Sequence, residues 1–470
     1  MTKGDAFKLE ILKQKLKLQP AQVLVAGFAS LILAGALLLN LPIATVERES
    51  MGFLNALFTA TSAVCVTGLV VVDTGTFFST FGQVVILLLV QFGGLGIMTM
   101  ATLIFLLMGK KIMLRERVVM QEALNEFNLQ GVVRLTKSII LTTLIIQSIG
   151  AVILSTRFIP IYGIGQGIYF SIFHSIAAFC NAGFDLIGGF RSLTPFANDP
   201  VIVLTIGALI VLGGLGFSVL LEVYHRRRFR TMSLHTKVAL FVTAILIVFG
   251  AVFFYVVESG NPYTIGNPAL TIPGRVLSAL FQSIVPRTAG FNTIDQNSMT
   301  DASKFMTIIL MFIGASPGST GGGIKTTTIG VVVLMILSVI KNKEDIVIFE
   351  KRLGNGISYR ALTIMLISLV LVSAITMALI MSEVQRAQAG GDIGEQFSFI
   401  NMLFEAVSAF GTVGLSTGVT PYLSHASRIA LILTMFAGRV GPLTLALALA
   451  QNSNRSRANI RYPEDKLMVG

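Results

Sequence analysis

Hydrophobic positions gather in eight long runs along the chain, and shorter, more polar connections separate them. A helix needs about 17–25 mainly apolar residues to cross a bilayer, and all eight runs reach that length. The predicted spans are 21–44, 81–108, 135–159, 200–222, 236–257, 305–340, 361–382 and 428–450. The pattern therefore predicts an all-α polytopic membrane protein with eight spans.

Four half-apolar segments, each too short to span, lie in the connections and resemble one another. They are FLNALFTATSAVCVTGL (53–69), IYFSIFHSIAAFCNAGF (168–184), VLSALFQSIVPRTAGF (276–291) and FINMLFEAVSAFGTVGL (399–415). Each ends in Gly followed by Leu or Phe, and the third copy is one residue short. A unit of span, short helix, glycine strip and span thus occurs four times. We predict four pseudo-symmetric helix–pore helix–helix repeats around a single central pore, at 21–111, 112–232, 233–342 and 343–451.

The physics of this unit indicates a cation path. Irregular backbone at membrane depth is tolerated only where protein buries it or water surrounds it. A short helix directs the partial negative charge of its C-terminal end toward the strip, and Gly allows the positive φ that turns carbonyls toward an axis. Four such strips give a ring of carbonyl oxygens, as in a selectivity filter. The alternative, glycines that merely allow close helix packing, does not explain four copies at equivalent positions.

Charge is sparse, since Asp, Glu, Lys and Arg make up only 12% of the 470 residues, against about 25% in soluble domains. Together with 54% hydrophobic residues, this excludes a soluble, disordered or nucleic-acid-binding protein despite the net charge of +12. Of the 35 basic residues, 25 lie in 1–20, 109–137, 223–237, 341–360 and 451–470. The positive-inside rule therefore places both termini, including the N-terminal segment 1–20 and the polar tail 452–470, in the cytoplasm.

The sixth hydrophobic run, 305–340, is too long for one helix and contains GASPGSTGGGIKTTT (314–328). Pro costs about 3 kcal/mol and each Gly about 1 kcal/mol inside a helix, so two helices joined by a loop are predicted. Lys325 and Arg439 are interpreted as the two basic residues that lie well inside predicted spans, away from their ends. We hypothesise that Arg439 donates hydrogen bonds to carbonyls of the 314–323 loop and forms a positive barrier, while Lys325 anchors the loop's end. The alternative for both residues is a structural or snorkelling role.

Two enzyme-like motifs overlap this loop. GASPG matches the G-x-S-x-G nucleophile elbow, and GSTGGGIKT resembles a phosphate-binding loop. The first lacks a nearby His and acid, and in the second Lys325 is one residue late. The sequence therefore predicts that this chain is not an enzyme and binds no nucleotide.

The four strips and the GASPGSTGGGIKT stretch resemble the Trk/Ktr/HKT superfamily of potassium transporters, and the resemblance covers nearly the whole chain. It implies a homodimer with a pore in each protomer, docked on a cytosolic KtrA-like RCK ring that binds nucleotide. It implies potassium contacts at Val66, Thr67, Gly68, Leu69, Asn181, Ala182, Gly183, Phe184, Thr288, Ala289, Gly290, Phe291, Thr412, Val413, Gly414 and Leu415. It also implies a gate formed by Gly314, Ala315, Ser316, Pro317, Gly318, Ser319, Thr320, Gly321, Gly322, Gly323, Lys325 and Arg439.

The ion preference also follows from the resemblance. Some related plant members carry Ser at the first filter glycine and favour sodium, whereas this chain has Gly at all four positions. We therefore expect potassium transport across the plasma membrane, with sodium as an activator and no cofactor bound by this chain apart from potassium in the pore. The alternatives are a sodium-permeable transporter of the same fold and, remotely, a membrane-embedded serine hydrolase that uses Ser316.

Overall fold

The computed structural model describes residues 20–96, 99–100, 132–342, 345–388, 397–441 and 444. The expected cytosolic N-terminal segment, apart from residue 20, and the expected tail 452–470 lie outside the described residues. Most of the C-terminal ends of the predicted spans 81–108 and 428–450 also lie outside them. Within the described part the chain is helical apart from loops and one small hairpin, which pairs Ile346–Ile348 with Lys351–Leu353. The all-α prediction is confirmed to that extent.

The helices come in four similar groups along the chain. The first contains α1 (Pro20–Leu39), α2 (Phe53–Val64), the one-turn α3 (Thr74–Phe77) and α4 (Thr80–Leu95). The second contains α5 (Val132–Tyr162), α6 (Ile164–Phe179), α7 (Pro200–Leu215) and α8 (Phe217–Arg226). The third contains α9 (Leu234–Glu258), α10 (Ile272–Ile284), α11 (Asp301–Phe312) and α12 (Thr326–Ile340). The fourth contains α13 (Asn355–Gln388), α14 (Phe399–Gly411) and α15 (His425–Val440).

Four of the described helices are long and apolar enough to cross a membrane by themselves. They contain the stretches Gln22–Leu39, Val133–Tyr162, Leu234–Glu258 and Gly356–Arg386. The pair α7 and α8 makes a fifth if it counts as one span, although the two helices meet at 98°. In the remaining predicted spans, the described helices are shorter than 18 residues, as in Thr80–Leu95 and Thr326–Ile340.

The prediction of one continuous span over 200–222 is wrong, because the chain bends sharply after Leu215. Gly216 has a φ of +94°, and the Phe217 amide donates to the Gly318 carbonyl at 2.9 Å, so a contact with the intramembrane loop replaces the next helical hydrogen bond. Gly96 and Gly441, with φ of +82° and +92°, end α4 and α15 in the same way. A positive φ is easily adopted by Gly and lets the chain leave the helix, and these three glycines follow related sequences.

The break predicted in the sixth run is present. Helix α11 ends at Phe312 and α12 begins at Thr326, and a loop joins them. At the two ends of this loop, Ile313 and Ile324 pair in an isolated parallel β-bridge. Two of the predicted spans, 200–222 and 305–340, are thus interrupted, whereas the sequence predicted a break only in the second of them.

In each group, a hydrogen bond or ion pair ties the C-terminal part of the first helix, or the turn that follows it, to the residues at the start of the helix after the glycine strip, namely α4, α7, α11 and α15. In the third group, the buried Glu258 accepts from the Thr300 amide at 3.0 Å and from its hydroxyl at 2.7 Å. In the fourth, Glu383 accepts from the Ser424 amide at 3.0 Å and the Ser427 hydroxyl at 2.6 Å. The corresponding ties are the ion pair Arg157–Asp199 and the bond from Ser79 to the Ile43 carbonyl. These contacts fix the frame that holds the short helices between them.

The short helices pack around one shared core. A Phe at an equivalent position of each is almost fully buried, namely Phe58, Phe173, Phe281 and Phe404. The outer faces of the long helices instead expose apolar side chains, such as Val152, Val248 and Val370, each about two thirds accessible. An apolar exterior of this extent on helices of membrane length belongs to a protein embedded in a bilayer.

Candidate functional site

The four glycines of the strips lie next to one another in a closed ring. A Cβ built on Gly68 would lie 3.0 Å from the Gly183 Cα, and one on Gly183 would lie 2.8 Å from the Gly290 Cα. A Cβ on Gly290 would lie 3.3 Å from the Gly414 Cα, and one on Gly414 would lie 3.0 Å from the Gly68 Cα. The ring therefore follows the order of the groups along the chain and closes on itself, within a single chain.

The strips share one backbone conformation. The four glycines have φ of +90°, +68°, +75° and +91° in chain order. The residue two positions before each Gly also has a positive φ, between +51° and +71°, at Val66, Asn181, Thr288 and Thr412. Such values are uncommon in residues other than Gly and cost energy. Their recurrence at the same place in all four strips indicates a conformation that the surrounding structure imposes.

The amide groups of the strips point back toward the short helices. The Thr67 and Val413 amides donate to the carbonyls of Ser62 and Ser408 at 2.7 and 2.9 Å. The hydroxyls of the same two serines accept from the Gly68 and Gly414 amides at 3.0 and 3.1 Å. Each serine thus binds two successive amides of its strip.

The carbonyls that precede the glycines face the neighbouring strips. Those of Thr67, Ala182, Ala289 and Val413 are among the atoms nearest to a Cβ built on the adjoining Gly. None of them accepts a hydrogen bond from the residues that the structure describes. A buried carbonyl without a donor is costly unless water or a cation contacts it. The ring is thus a set of oxygen ligands suited to a desolvated cation.

The remaining predicted filter residues are also buried here. Leu69, Phe184, Phe291 and Leu415 follow the glycines and are at most 1% exposed. The side chains of Asn181 and Thr288 approach to 3.2 Å, which links the second and third strips. The structure therefore brings together all sixteen residues that the resemblance assigns to potassium contacts.

The loop 314–323 packs directly against two of the strips. The Gly322 amide donates to the Thr412 hydroxyl at 3.0 Å, and a Cβ on Gly321 would collide with the side chain of Thr288. Small residues are therefore required for this close approach. On its other side, the Ser316 amide of the loop donates to the Gly214 carbonyl at 2.9 Å. The loop is thus wedged between the strips and the end of α7.

Arg439 connects this loop to the first group of helices. Its guanidinium donates to the carbonyl of Thr320 in the loop and to the carbonyl of Gly93 near the end of α4. A third bond reaches the Gly94 carbonyl at 3.3 Å. Lys325 donates to the Gly321 carbonyl at 2.7 Å, so it ties the loop to itself. The contacts expected from the sequence are present for both residues, whereas their roles in gating stay predictions.

Arg287 is a further buried basic residue close to this loop. The sequence placed it in an outer connection, but it is 7% exposed and lines a cavity of about 10 Å³ together with Thr243, Ala315 and Thr326. Its Nε is buried and has no hydrogen-bond partner in the part of the chain that the structure describes. The cavity has room for about one water molecule, which is the partner that a buried guanidinium without a counterion needs. The signal in the sequence was its place three residues before Gly290, inside a strip.

The serine of the GASPG motif lacks the setting of a nucleophile. Ser316 is fully buried, and its hydroxyl pairs with the Thr326 hydroxyl at 3.0 Å. Within the described residues, no three His, Cys, Asp or Glu side chains are placed to hold a metal ion. The oxygens that converge at the ring of glycines are backbone carbonyl oxygens.

The comparisons with known proteins agree with a transport site. The family model described as TrkH, cation transport protein, matches residues 19–458. The chain belongs to the TrkH family. As a TrkH-family member it is a cation transport protein and not an enzyme, so the serine-hydrolase alternative is wrong.

Several relatives of this TrkH-family chain match almost end to end. It is 43% identical to the Ktr system potassium uptake protein B of Bacillus subtilis, over 96% of this chain and 97% of that protein. It is 40% identical to the potassium/sodium uptake protein NtpJ of Enterococcus hirae, over 98% and 100%. The crystal structure of the potassium transporter TrkH from Vibrio parahaemolyticus superimposes with a TM-score of 0.71, covering 93% of this chain and 86% of that one, at 17% identity. That last likeness establishes the fold.

Proposed function

We propose that this protein moves potassium ions across the plasma membrane through the ring of glycine strips. The carbonyls before Gly68, Gly183, Gly290 and Gly414 are the ligands of the dehydrated ion, and the four groups of helices are pore-forming repeats. The observation that carries the proposal is the closed ring of carbonyls that accept no hydrogen bond from the described residues, each facing a neighbouring Gly. The named activity of the Ktr relatives in potassium uptake supports the choice of ion.

The loop 314–323 is the gate in this proposal. It lies against the third and fourth strips, and Arg439 holds it to α4 through the Thr320 and Gly93 carbonyls. A guanidinium close to the path opposes a permeating cation. Movement of the loop must break these bonds before ions pass.

The surroundings of the protein follow from the resemblance and from the charge pattern. Both termini lie in the cytoplasm, and two chains form a dimer in which each has its own pore. A KtrA-like RCK ring binds the cytosolic face and transmits the state of its bound nucleotide to the loop. Sodium acts as an activator. A protomer that requires such a ring should transport slowly without it.

Growth of a strain that lacks potassium uptake tests the proposal. Expression of this chain together with a KtrA-like subunit is expected to restore growth at low external potassium. Unlabelled sodium added in excess should compete only weakly with potassium uptake. Efficient competition by sodium would favour the second candidate, a sodium-permeable transporter, since the Enterococcus relative is named a potassium/sodium uptake protein. No uptake of either ion would reject the proposal.

External pH should alter uptake through Asp185, which follows the second strip directly. Burial, with a smaller contribution from the neighbouring Asp73, raises the pKa of its carboxyl to about 6. The side chain is therefore mainly charged at pH 7.5 and mainly neutral at pH 5. Since a negative charge near the entrance attracts cations, uptake from low potassium should fall severalfold between these values. An Asp185→Asn variant should be slower at pH 7.5 and lose most of this pH dependence.

The control for this prediction is Asp295→Asn. Asp295 follows the third strip but is exposed to solvent. This variant should keep the pH dependence of the parent. If Asp185→Asn keeps it as well, the Asp185 charge has no influence on ion entry.

A further inference from the structure

One position behind each glycine strip carries a buried polar side chain. It lies nine residues before the Gly in three groups, at Thr59, His174 and Glu405, and eight before it in the third, where the copy is one residue short, at Gln282. All four side chains are at most 1% exposed. Buried polar groups need hydrogen-bond partners, so these partners show what the position does.

In two groups the partner is the backbone amide at the equivalent position after the strip. The amide three residues after the strip's Gly donates to the buried side chain, from Leu186 to the His174 Nε2 at 3.4 Å and from Thr417 to the Glu405 Oε1 at 3.0 Å. The Nδ1 of His174 lies 2.7 Å from the Phe170 carbonyl, so it carries the proton and the imidazole is neutral. This position therefore ties the end of the strip to the short helix behind it.

The other two groups use variations of this contact. Gln282 exchanges two hydrogen bonds with Gln296, at 2.9 and 3.0 Å, and Gln296 also lies beyond its strip. Thr59 donates only to the Asn55 carbonyl of its own helix, at 3.0 Å. The first three members of the set are thus uncharged, and Glu405 differs from them in its chemistry.

Three donors surround the Glu405 carboxyl. Besides the Thr417 amide, the Ser416 hydroxyl donates to Oε1 at 2.6 Å and the Thr420 hydroxyl donates to Oε2 at 2.7 Å. An ionised carboxylate only accepts hydrogen bonds, so this set of partners suits the charged form. No basic side chain of the described residues forms an ion pair with it. An ionised Glu405 therefore has hydrogen-bond donors but no counterion among the described residues.

We propose that Glu405 determines how tightly the glycine ring holds its cation, by placing one uncompensated negative charge behind the fourth strip. The inference rests on the proposed function, since it needs an ion in the ring. A permeating cation is the counterion that this buried carboxylate lacks. A unit charge acting over roughly 10 Å, at an effective dielectric constant of about 20, changes an affinity on the order of tenfold. The ring then has one strongly attractive side, although its backbone repeats fourfold.

The test replaces the charged carboxylate with a neutral side chain that can still form hydrogen bonds at this position. Glu405→Gln conserves size, and Glu405→His copies the neutral residue that the second group has at this position. Potassium uptake is measured against external potassium in cells that lack other uptake systems. Both variants should raise the KM for potassium about tenfold and leave the maximal rate within about twofold. A residue that only braces the strip would lower the maximal rate or the amount of folded protein instead.

Two control variants keep the charge. Glu405→Asp should leave the KM within about twofold, and Thr420→Val, which removes one donor, should do the same. If Thr420→Val raises the KM as much as Glu405→Gln, the bonds rather than the charge set the affinity and the inference fails. An unchanged KM in both neutral variants also overturns it. Absence of potassium uptake in the parent protein would instead reject the proposed function.

Discussion

A Gly68→Ser variant is expected to lose at least tenfold of its preference for potassium over sodium. Gly68 has a φ of +90°, which a side chain adopts only with strain. Its Cβ would be directed at the Ala182 carbonyl and would lie 3.0 Å from the Gly183 Cα. Since both are backbone atoms, the second strip must shift, and a displaced carbonyl no longer matches a potassium ion. Relative uptake of the two ions from mixtures measures the effect.

Gly163→Ser is the matched control for this variant. Gly163 has a similar φ of +83°, but nothing lies within 4 Å of a Cβ built there, and it precedes α6 rather than a strip. It therefore imposes the same backbone strain at a distance from the ring. The control should keep the ion preference of the parent. Unchanged relative uptake in Gly68→Ser would contradict a filter made of these carbonyls.

An Arg439→Ala variant is expected to conduct potassium about tenfold faster than the parent under conditions that close the gate. The substitution removes a positive charge near the path and the bonds that join the Thr320 carbonyl to those of Gly93 and Gly94. A unit charge at this range accounts for an effect of that size. Flux into liposomes that contain the protein, with and without the RCK partner, measures it.

Arg439→Lys separates the charge from the hydrogen bonds. The ammonium group retains the positive charge, but it lacks the planar fork with which Arg reaches two segments at once. Low flux in the Lys variant together with high flux in Ala would identify the charge as the barrier. High flux in both would identify the bonds to the loop. If the Arg439→Ala variant has the same flux as the parent in both closing and opening conditions, Arg439 has no role in the gate.

The parts of the site that repeat in the sequence could be predicted from it. Gly68, Gly183, Gly290 and Gly414 recur in similar surroundings, and a recurring Gly marks a backbone position rather than a side chain. The break in 305–340 could also be predicted, because Pro317 and a run of glycines cannot remain in one helix. Local propensity settles both features, so no tertiary contact was needed to find them.

Features that depend on tertiary contacts escaped prediction. Gly216 lies in a hydrophobic run with no Pro nearby, and the bend there depends on the bond from Phe217 to Gly318 in another group of helices. Arg287 looked like a loop residue because its burial comes from packing against residues of other segments, Thr243 and Ala315 among them. Thr59, His174, Gln282 and Glu405 share a position but not a chemical type, so a search for similar residues passes over them.

The closure of the glycine ring within one polypeptide has a genetic consequence. In a channel whose ring takes one strip from each of four subunits, a single defective subunit can inactivate the whole pore. Activity then falls steeply as the share of defective subunits rises. Here all four strips are encoded in one reading frame, and each can diverge without changing the other three. Damage at a strip should therefore behave as recessive, with activity proportional to the share of intact chains.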